Sequence, residues 1–261
     1  MMRISIVQMD IEFSNPEKNR EKAIEMIEKA AKEKPDVIVL PEMWNTSFSF
    51  ENINDIADEY GEPTKTIMRD LCVKHNVNII AGSIADKHGE DIYNRAYVID
   101  RKGNIKAYYD KVHLVRHAKE NTYMKRGENA TVFEIDGVKC GIVLCYDFRF
   151  PELVRTMALQ GAKILFVPAQ WFETRLNHWE VLACARALEN QMYVVGVNRI
   201  GKEYKATFPG KSLVVDPWGN IVKQANGDET VMTVDIDLGL VERVRKKITC
   251  FLDRSPEVYK L

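Results

Sequence analysis

Short apolar runs alternate along this chain with stretches whose apolar residues recur every three or four positions; the runs predict strands and the stretches predict helices. Residues 3–9 read as a strand. Asn15-Pro16 opens a helix through residue 34, with an N-cap side chain, a proline in the first turn, and Ala23, Ile24, Ile27, Ala30 and Ala31 on one face. Residues 37–40 form a short buried strand, residues 63–75 a second helix, and residues 78–81 another strand. Segments 92–99 and 105–109 flank Arg101-Lys102-Gly103-Asn104, a hairpin signal. Asp136-Gly137 predicts a second hairpin, leading into the apolar strand of residues 138–144. Beyond it come a helix over 151–160, a strand over 164–167, a helix over 178–191 and a strand over 193–198. Residues 211–215 and 221–224 then pair around Asp216-Pro217-Trp218-Gly219-Asn220.

Strand–helix alternation interrupted by hairpins implies an α/β protein with mixed sheets covered by helices. No repeat, low-complexity tract or linker divides the sequence, which predicts one domain over residues 1–261. With 46% hydrophobic residues among 261, the chain can bury one large core. Its formal net charge of −1, with acids and bases interspersed, argues against binding to nucleic acid or an anionic membrane surface. The start, Met1-Met2-Arg3-Ile4, enters a strand without a signal-peptide pattern, and no apolar run reaches membrane-spanning length. Five cysteines, an odd number, follow no disulfide rhythm and lack zinc-ligand spacing beside histidines. The expectation is a cytoplasmic protein without a metal or cofactor.

Candidate chemistry gathers where strands end. Cys145 follows the apolar run 138–144 and precedes Tyr146-Asp147-Phe148-Arg149-Phe150, with Pro151 placed to start a helix. The carboxyl ends of strands are where open α/β sheets build active sites. Leu40-Pro41-Glu42 delivers a carboxylate at the end of another strand, and Tyr108-Tyr109-Asp110-Lys111 delivers an ammonium at a third. Each alone reads more readily as a core thiol, a surface acid or a solvated cation. Together they supply a nucleophile, a base and a partner for a developing oxyanion. Trp171 also follows a strand, as a cavity wall or a core aromatic. Arg149, Arg116 and Arg175 are candidates to bind a substrate carboxylate, although Arg149 can instead pair with Glu152.

The sequence resembles the nitrilase, or carbon–nitrogen hydrolase, superfamily. The resemblance rests on Leu40-Pro41-Glu42-Met43-Trp44, Asp110-Lys111-Val112-His113-Leu114 and Leu144-Cys145-Tyr146-Asp147-Phe148-Arg149-Phe150-Pro151-Glu152, in that order. Ala187-Leu188-Glu189-Asn190-Gln191 and Asp216-Pro217-Trp218-Gly219 extend it over nearly the whole chain. Pro168-Ala169-Gln170-Trp171 and Gly196-Val197-Asn198-Arg199 narrow it toward ω-amidases, which hydrolyse the terminal amide of 2-oxoglutaramate and 2-oxosuccinamate. The resemblance implies a four-layer α-β-β-α sandwich and a homodimer; the apolar stretch Ile248-Thr249-Cys250-Phe251-Leu252 then predicts that the C-terminal tail, residues 248–261, crosses the dimer interface.

It further implies hydrolysis of a small amide through a thioester on Cys145. Glu42 acts as base and later as acid, and the Lys111 ammonium and the Tyr146 backbone N–H hold the oxyanion. A second glutamate is expected after the lysine: Glu120 in His117-Ala118-Lys119-Glu120, with Glu128 as its competitor. N-carbamoyl amidohydrolase, aliphatic amidase and nitrilase chemistry use the same triad. A Cys–His arrangement is the other common thiol chemistry, but His113 reads as packing, His178 as a helix start, and the local papain-type signature is missing. A redox-sensing thiol would need a resolving partner, and Cys140 on the same strand would lie on the opposite face about 16 Å away.

Overall fold

The structure is a computed structural model describing residues 1–259. The first half runs β1 (Met2–Gln8), α1 (Pro16–Ala31), β2 (Val37–Val39), α2 (Ile53–Ile56), β3 (Asp58–Glu59), α3 (Thr64–His75), β4 (Asn78–His88), β5 (Asp91–Ile99), β6 (Ile105–Asp110) and α4 (Glu120–Tyr123). It continues with β7 (Thr131–Ile135), β8 (Val138–Ile142), α5 (Pro151–Leu159), β9 (Ile164–Ala169), α6 (Leu176–Asn190), β10 (Tyr193–Asn198), β11 (Ile200–Glu203) and β12 (Ala206–Pro209). The last elements are β13 (Leu213–Val215), β14 (Ile221–Gln224), β15 (Thr230–Ile236) and α7 (Gly239–Lys247).

One sheet has the order β15-β1-β2-β4-β5-β6, with β3 beside β4; the other has the order β14-β13-β10-β9-β8-β7. Alternation along the strands explains why they stack. In the first sheet Ile4, Ile6, Val37, Val39, Ile80 and Val98 share one core cluster with Cys140, Ile142, Phe166 and Val195 of the second. The intervening residues Val7, Ile38, Ile79 and Ile99 pack with Ala23, Ile27 and Met68 of α1 and α3. Both faces are apolar because both are covered, which is why these strands read as continuous hydrophobic runs. On the far side of the second sheet two glycines admit helices at close range. A Cβ on Gly141 would lie 2.8 Å from the Met157 sulfur of α5, and one on Gly196 would lie 2.6 Å from the Trp179 ring of α6. The result is the α-β-β-α sandwich.

Most expected elements are present with ends moved by one to three residues, and β10 and β14 have the expected bounds. Asn15 does cap α1, its side chain accepting from the Lys18 N–H at 3.3 Å. Two expectations need correction. β4 does not stop at residue 81 but runs on to His88. Polar residues in that extension are buried with partners: the Ser83 hydroxyl accepts from the Met43 N–H at 2.9 Å, and Asp86 accepts from the Tyr97 hydroxyl at 2.5 Å. β8 ends at Ile142, so Cys145 lies beyond the strand that holds Cys140. β15, absent from the expected elements, pairs antiparallel with β1 from Met2–Ile236 to Gln8–Thr230. Residues 260 and 261 of the expected interface tail lie outside the described residues.

Candidate active site

The strand directions decide what can meet. β2 and β4 run parallel, and β4, β5 and β6 are successively antiparallel, so β2 and β6 point the same way. Their carboxyl ends meet those of the parallel pair β8 and β9 at one rim of the sandwich. Glu42, Lys111, Cys145 and Gln170 therefore converge although scattered over 129 positions of sequence.

Cys145 opens a 3₁₀ turn, Cys145–Arg149, immediately after the chain leaves the second sheet. Its φ is +43°, in the left-handed region that L-residues avoid, so the backbone that carries the thiol is itself strained. The Asp147 side chain accepts from the Leu144 N–H at 3.2 Å while the Asp147 N–H donates to the Leu144 carbonyl at 2.9 Å, closing a ring around residues 145 and 146. As an early residue of the turn, Tyr146 has a backbone N–H with no partner inside it. The Cys145 sulfur lies 3.8 Å from the Gln170 carbonyl oxygen.

Beneath the sulfur is a buried cluster of charge. The Lys111 ammonium donates to Glu42 Oε1 at 2.8 Å and to Glu120 Oε1 and Oε2 at 3.0 and 3.1 Å. Asn94 Nδ2 bridges both carboxylates, at 2.9 Å from Glu42 Oε1 and 3.2 Å from Glu120 Oε1. The Gln170 N–H donates to Glu42 Oε2 at 3.0 Å, and the Val115 N–H donates to Glu120 Oε2 at 2.7 Å. All three charged side chains are at most 1% exposed. Burial pushes the Glu42 carboxyl above the usual carboxylate range, and Lys111 works against that shift. Burial alone would weaken the Lys111 ammonium, but Glu120 and Glu42 reverse this and hold its pKa well above the ordinary lysine value. Burial, then the charge of Glu42, keeps the Cys145 thiol protonated, while Lys111 favours the thiolate. A resting thiol beside an available carboxylate is the state from which a base can withdraw a proton.

Lys111, Glu120 and Cys145 line a cavity of about 300 Å³, whose walls include Phe48, Phe50, Val115, Trp171 and Phe172, with Glu42 buried behind Lys111. Arg149, Arg175, His117 and His178 line the same cavity. The Trp171 indole is 3% exposed, held by its N–H to the Arg175 carbonyl at 2.8 Å and by Asn198, which accepts from the Trp171 backbone N–H at 2.7 Å. The Arg149 guanidinium lies over that ring, 4.6 Å from its centroid.

The geometry brings Glu42, Lys111, Glu120, Cys145, Tyr146, Trp171, Arg149 and Arg175 to one site and leaves others out. Glu128 is exposed and lines a different surface recess with Tyr108 and Asn129. Arg116 lines a neighbouring cavity with His113 and Arg126. Arg149 does not pair with Glu152: its Nη1 lies 3.3 Å from His178 Nδ1, and among the described residues it has no carboxylate partner. His178 is the third residue of α6 and faces the cavity, so it does not cap the helix. His113 packs as expected, its ring stacked 3.6 Å from Phe150. Three site residues escaped the sequence reading. Asn94 was open to detection, because asparagine is uncommon inside a strand. Gln170 reaches the Glu42 carboxylate and the Cys145 sulfur through its backbone N–H and carbonyl, which carry no sequence signal. Asp147 was visible only as part of the Cys145 motif.

The sequence profile described as carbon–nitrogen hydrolase matches residues 3–246. The 2-oxoglutaramate amidase of Bacillus subtilis is 39% identical over 256 residues, 98% of either chain. An omega-amidase of Xenopus tropicalis is 30% identical over 271 residues, covering 99% of this chain and 97% of its own. Among solved structures, a superfamily protein of Xanthomonas campestris with an arsenic adduct in its active site superposes with a TM-score of 0.92. It is 28% identical, with 100% of this chain and 98% of that one covered.

Proposed function

The chain belongs to the carbon–nitrogen hydrolase family, and from that premise we propose that it is an ω-amidase acting on 2-oxoglutaramate or 2-oxosuccinamate through a Cys145 thioester. The observation that carries the reading is the cavity itself. Cys145, Lys111 and Glu120 line it, Glu42 lies against Lys111 just behind them, and Arg149 and Arg175 on its wall lack carboxylate partners among the described residues. Similarity to the amidase of Bacillus subtilis supports the same substrate class.

In this reading Glu42 takes the Cys145 proton as sulfur attacks the amide carbon, forming the S–C bond. The carbonyl oxygen becomes an oxyanion held by the Lys111 ammonium and the Tyr146 N–H, a donor worth roughly 3–4 kcal/mol of barrier. Glu42 returns the proton to nitrogen as the C–N bond breaks, releasing ammonia and leaving the thioester. It then takes a proton from water attacking the thioester carbon and gives it back to sulfur as the acid product departs. Glu120 and Asn94 keep Lys111 between the two carboxylates throughout. The far carboxylate of the substrate pairs with Arg149 or Arg175, which positions the amide over Cys145.

A screen of small amides, N-carbamoyl compounds and nitriles for ammonia release tests the proposal. Fastest turnover of 2-oxoglutaramate or 2-oxosuccinamate is expected. Carbon dioxide released with the ammonia would assign the enzyme to carbamoyl substrates, and turnover confined to nitriles would assign it to the nitrilases.

A further inference from the structure

We infer that Asp147 is a positioning residue that fastens the strand end carrying Lys111 to the turn carrying Cys145, and so sets the pair of donors that receive the oxyanion. The inference rests on the reading of Cys145 as nucleophile and Lys111 as oxyanion partner. Asp147 is fully buried and has no lysine or arginine partner among the described residues. Four hydrogen bonds satisfy its carboxylate instead. Oδ1 accepts from the His113 backbone N–H at 2.7 Å and lies 2.8 Å from His113 Nδ1; Oδ2 accepts from the Tyr109 hydroxyl at 2.7 Å and from the Leu144 N–H at 3.2 Å.

The partners are informative by position. Tyr109 and His113 stand two residues before and two after Lys111, whereas Leu144 and Asp147 bracket Cys145 and Tyr146. The other hydrogen bonds of the Lys111 residue tie it to Asn94, Gly127, Glu42 and Glu120. None of these reaches the turn in the second sheet. Two separate ties therefore cross between the sheets at the site: Gln170 to Glu42 for the base, and Asp147 to Tyr109 and His113 for the oxyanion donors. An amide at position 147 could not serve as well. It offers one acceptor oxygen where the carboxylate offers two, so a buried N–H on one side of the tie would lose its partner.

The experiment compares wild type with Asp147→Asn in two reactions. Turnover of 2-oxoglutaramate requires an oxyanion to form; alkylation of the Cys145 thiol by iodoacetamide does not. The expected result is a fall in kcat of roughly 10²-fold, the effect of an ångström-scale misplacement, with KM near wild type and a far smaller fall in the alkylation rate, since a displaced Lys111 favours the thiolate less. Tyr109→Phe, which keeps the carboxylate and removes one donor, should show the same split at smaller amplitude and decides the matter if Asp147→Asn does not fold. Unchanged turnover in either folded variant overturns the proposal. Turnover and alkylation falling by the same factor also overturns it, because Asp147 would then be holding the thiol and not the oxyanion donors. An alkylated, inactive wild type whose label is not on Cys145 would bring down the nucleophile assignment, and this proposal with it.

Discussion

The Gln170 N–H donates to Glu42 Oε2 at 3.0 Å, which occupies one carboxylate oxygen from the second sheet while Lys111 occupies the other from the first. Glu42 is thus held from both sides, and its rotation is restricted by partners 59 residues apart in sequence. In the proposed mechanism, a base fixed in this way needs no reorganisation when sulfur attacks.

Cys145→Ala is expected to abolish ammonia release and to leave the melting temperature close to wild type, since the residue contributes little buried volume beyond its sulfur. The check is an ammonia assay beside a thermal melt, and a substrate-derived mass on the peptide containing Cys145 in wild type. Retention of a tenth of the activity would remove Cys145 from the mechanism.

Glu42 and Lys111 should separate by what their loss does to stability. Glu42→Gln keeps the shape and loses the base, so acylation and thioester hydrolysis both slow. Lys111→Met leaves two buried carboxylates facing each other without a cation, and breaking a buried pair in this way typically costs 3–5 kcal/mol. Chemical denaturation should show the larger loss for Lys111→Met. An active Glu42→Gln enzyme at neutral pH would overturn the base assignment.

The acid limb of the kcat/KM profile reports Glu42, which must be ionised to take the thiol proton. Its pKa is raised by burial, with Lys111 opposing, so protonation occurs as pH falls through a value above the ordinary glutamate figure of about 4.3. Activity is expected to fail on acidification earlier than an exposed carboxylate would allow. The same shift means that the folded state holds this proton more tightly than the unfolded chain. That contribution to stability is full below the ordinary value and is lost as pH rises through the raised one. A limb at or below the ordinary glutamate value would contradict the burial argument.

Arg149→Met and Arg175→Met should reduce the preference for 2-oxoglutaramate over butyramide, and Arg116→Met should not, because Arg116 lines a different cavity. Losing the charged partner of a buried carboxylate typically costs 2–5 kcal/mol, read here in kcat/KM. Equal kcat/KM for the two amides in wild type would eliminate the anchor.

A homodimer is expected, with exposed Val181 and Leu188 of α6 and the Ile248 and Leu252 segment in the contact. Sedimentation at micromolar concentration that shows only a 30.0 kDa species would exclude it.

The sequence disclosed what local pattern controls. Apolar runs marked β2, β9 and β10, the Asp136-Gly137 pair marked a hairpin, and Asn15-Pro16 marked the start of α1. It hid what distant contacts control. β4 looked finished at residue 81 because Ser83 and Asp86 are polar, yet their partners come from residues 43 and 97. Glu120 could be preferred to Glu128 through resemblance and the turn-like neighbours of Glu128, but not through what distinguishes them in the fold, one ammonium delivered by a strand. The Lys111 and Cys145 strand ends were legible, but the carboxylate joining them at Asp147 was not.

The left-handed backbone at Cys145 sets chemistry and folding against each other at one position. An L-residue held there costs about 1–2 kcal/mol, which glycine escapes. Cys145→Gly should therefore melt above Cys145→Ala, so the backbone on its own favours a residue with no side chain at the position where the proposed chemistry needs a thiol.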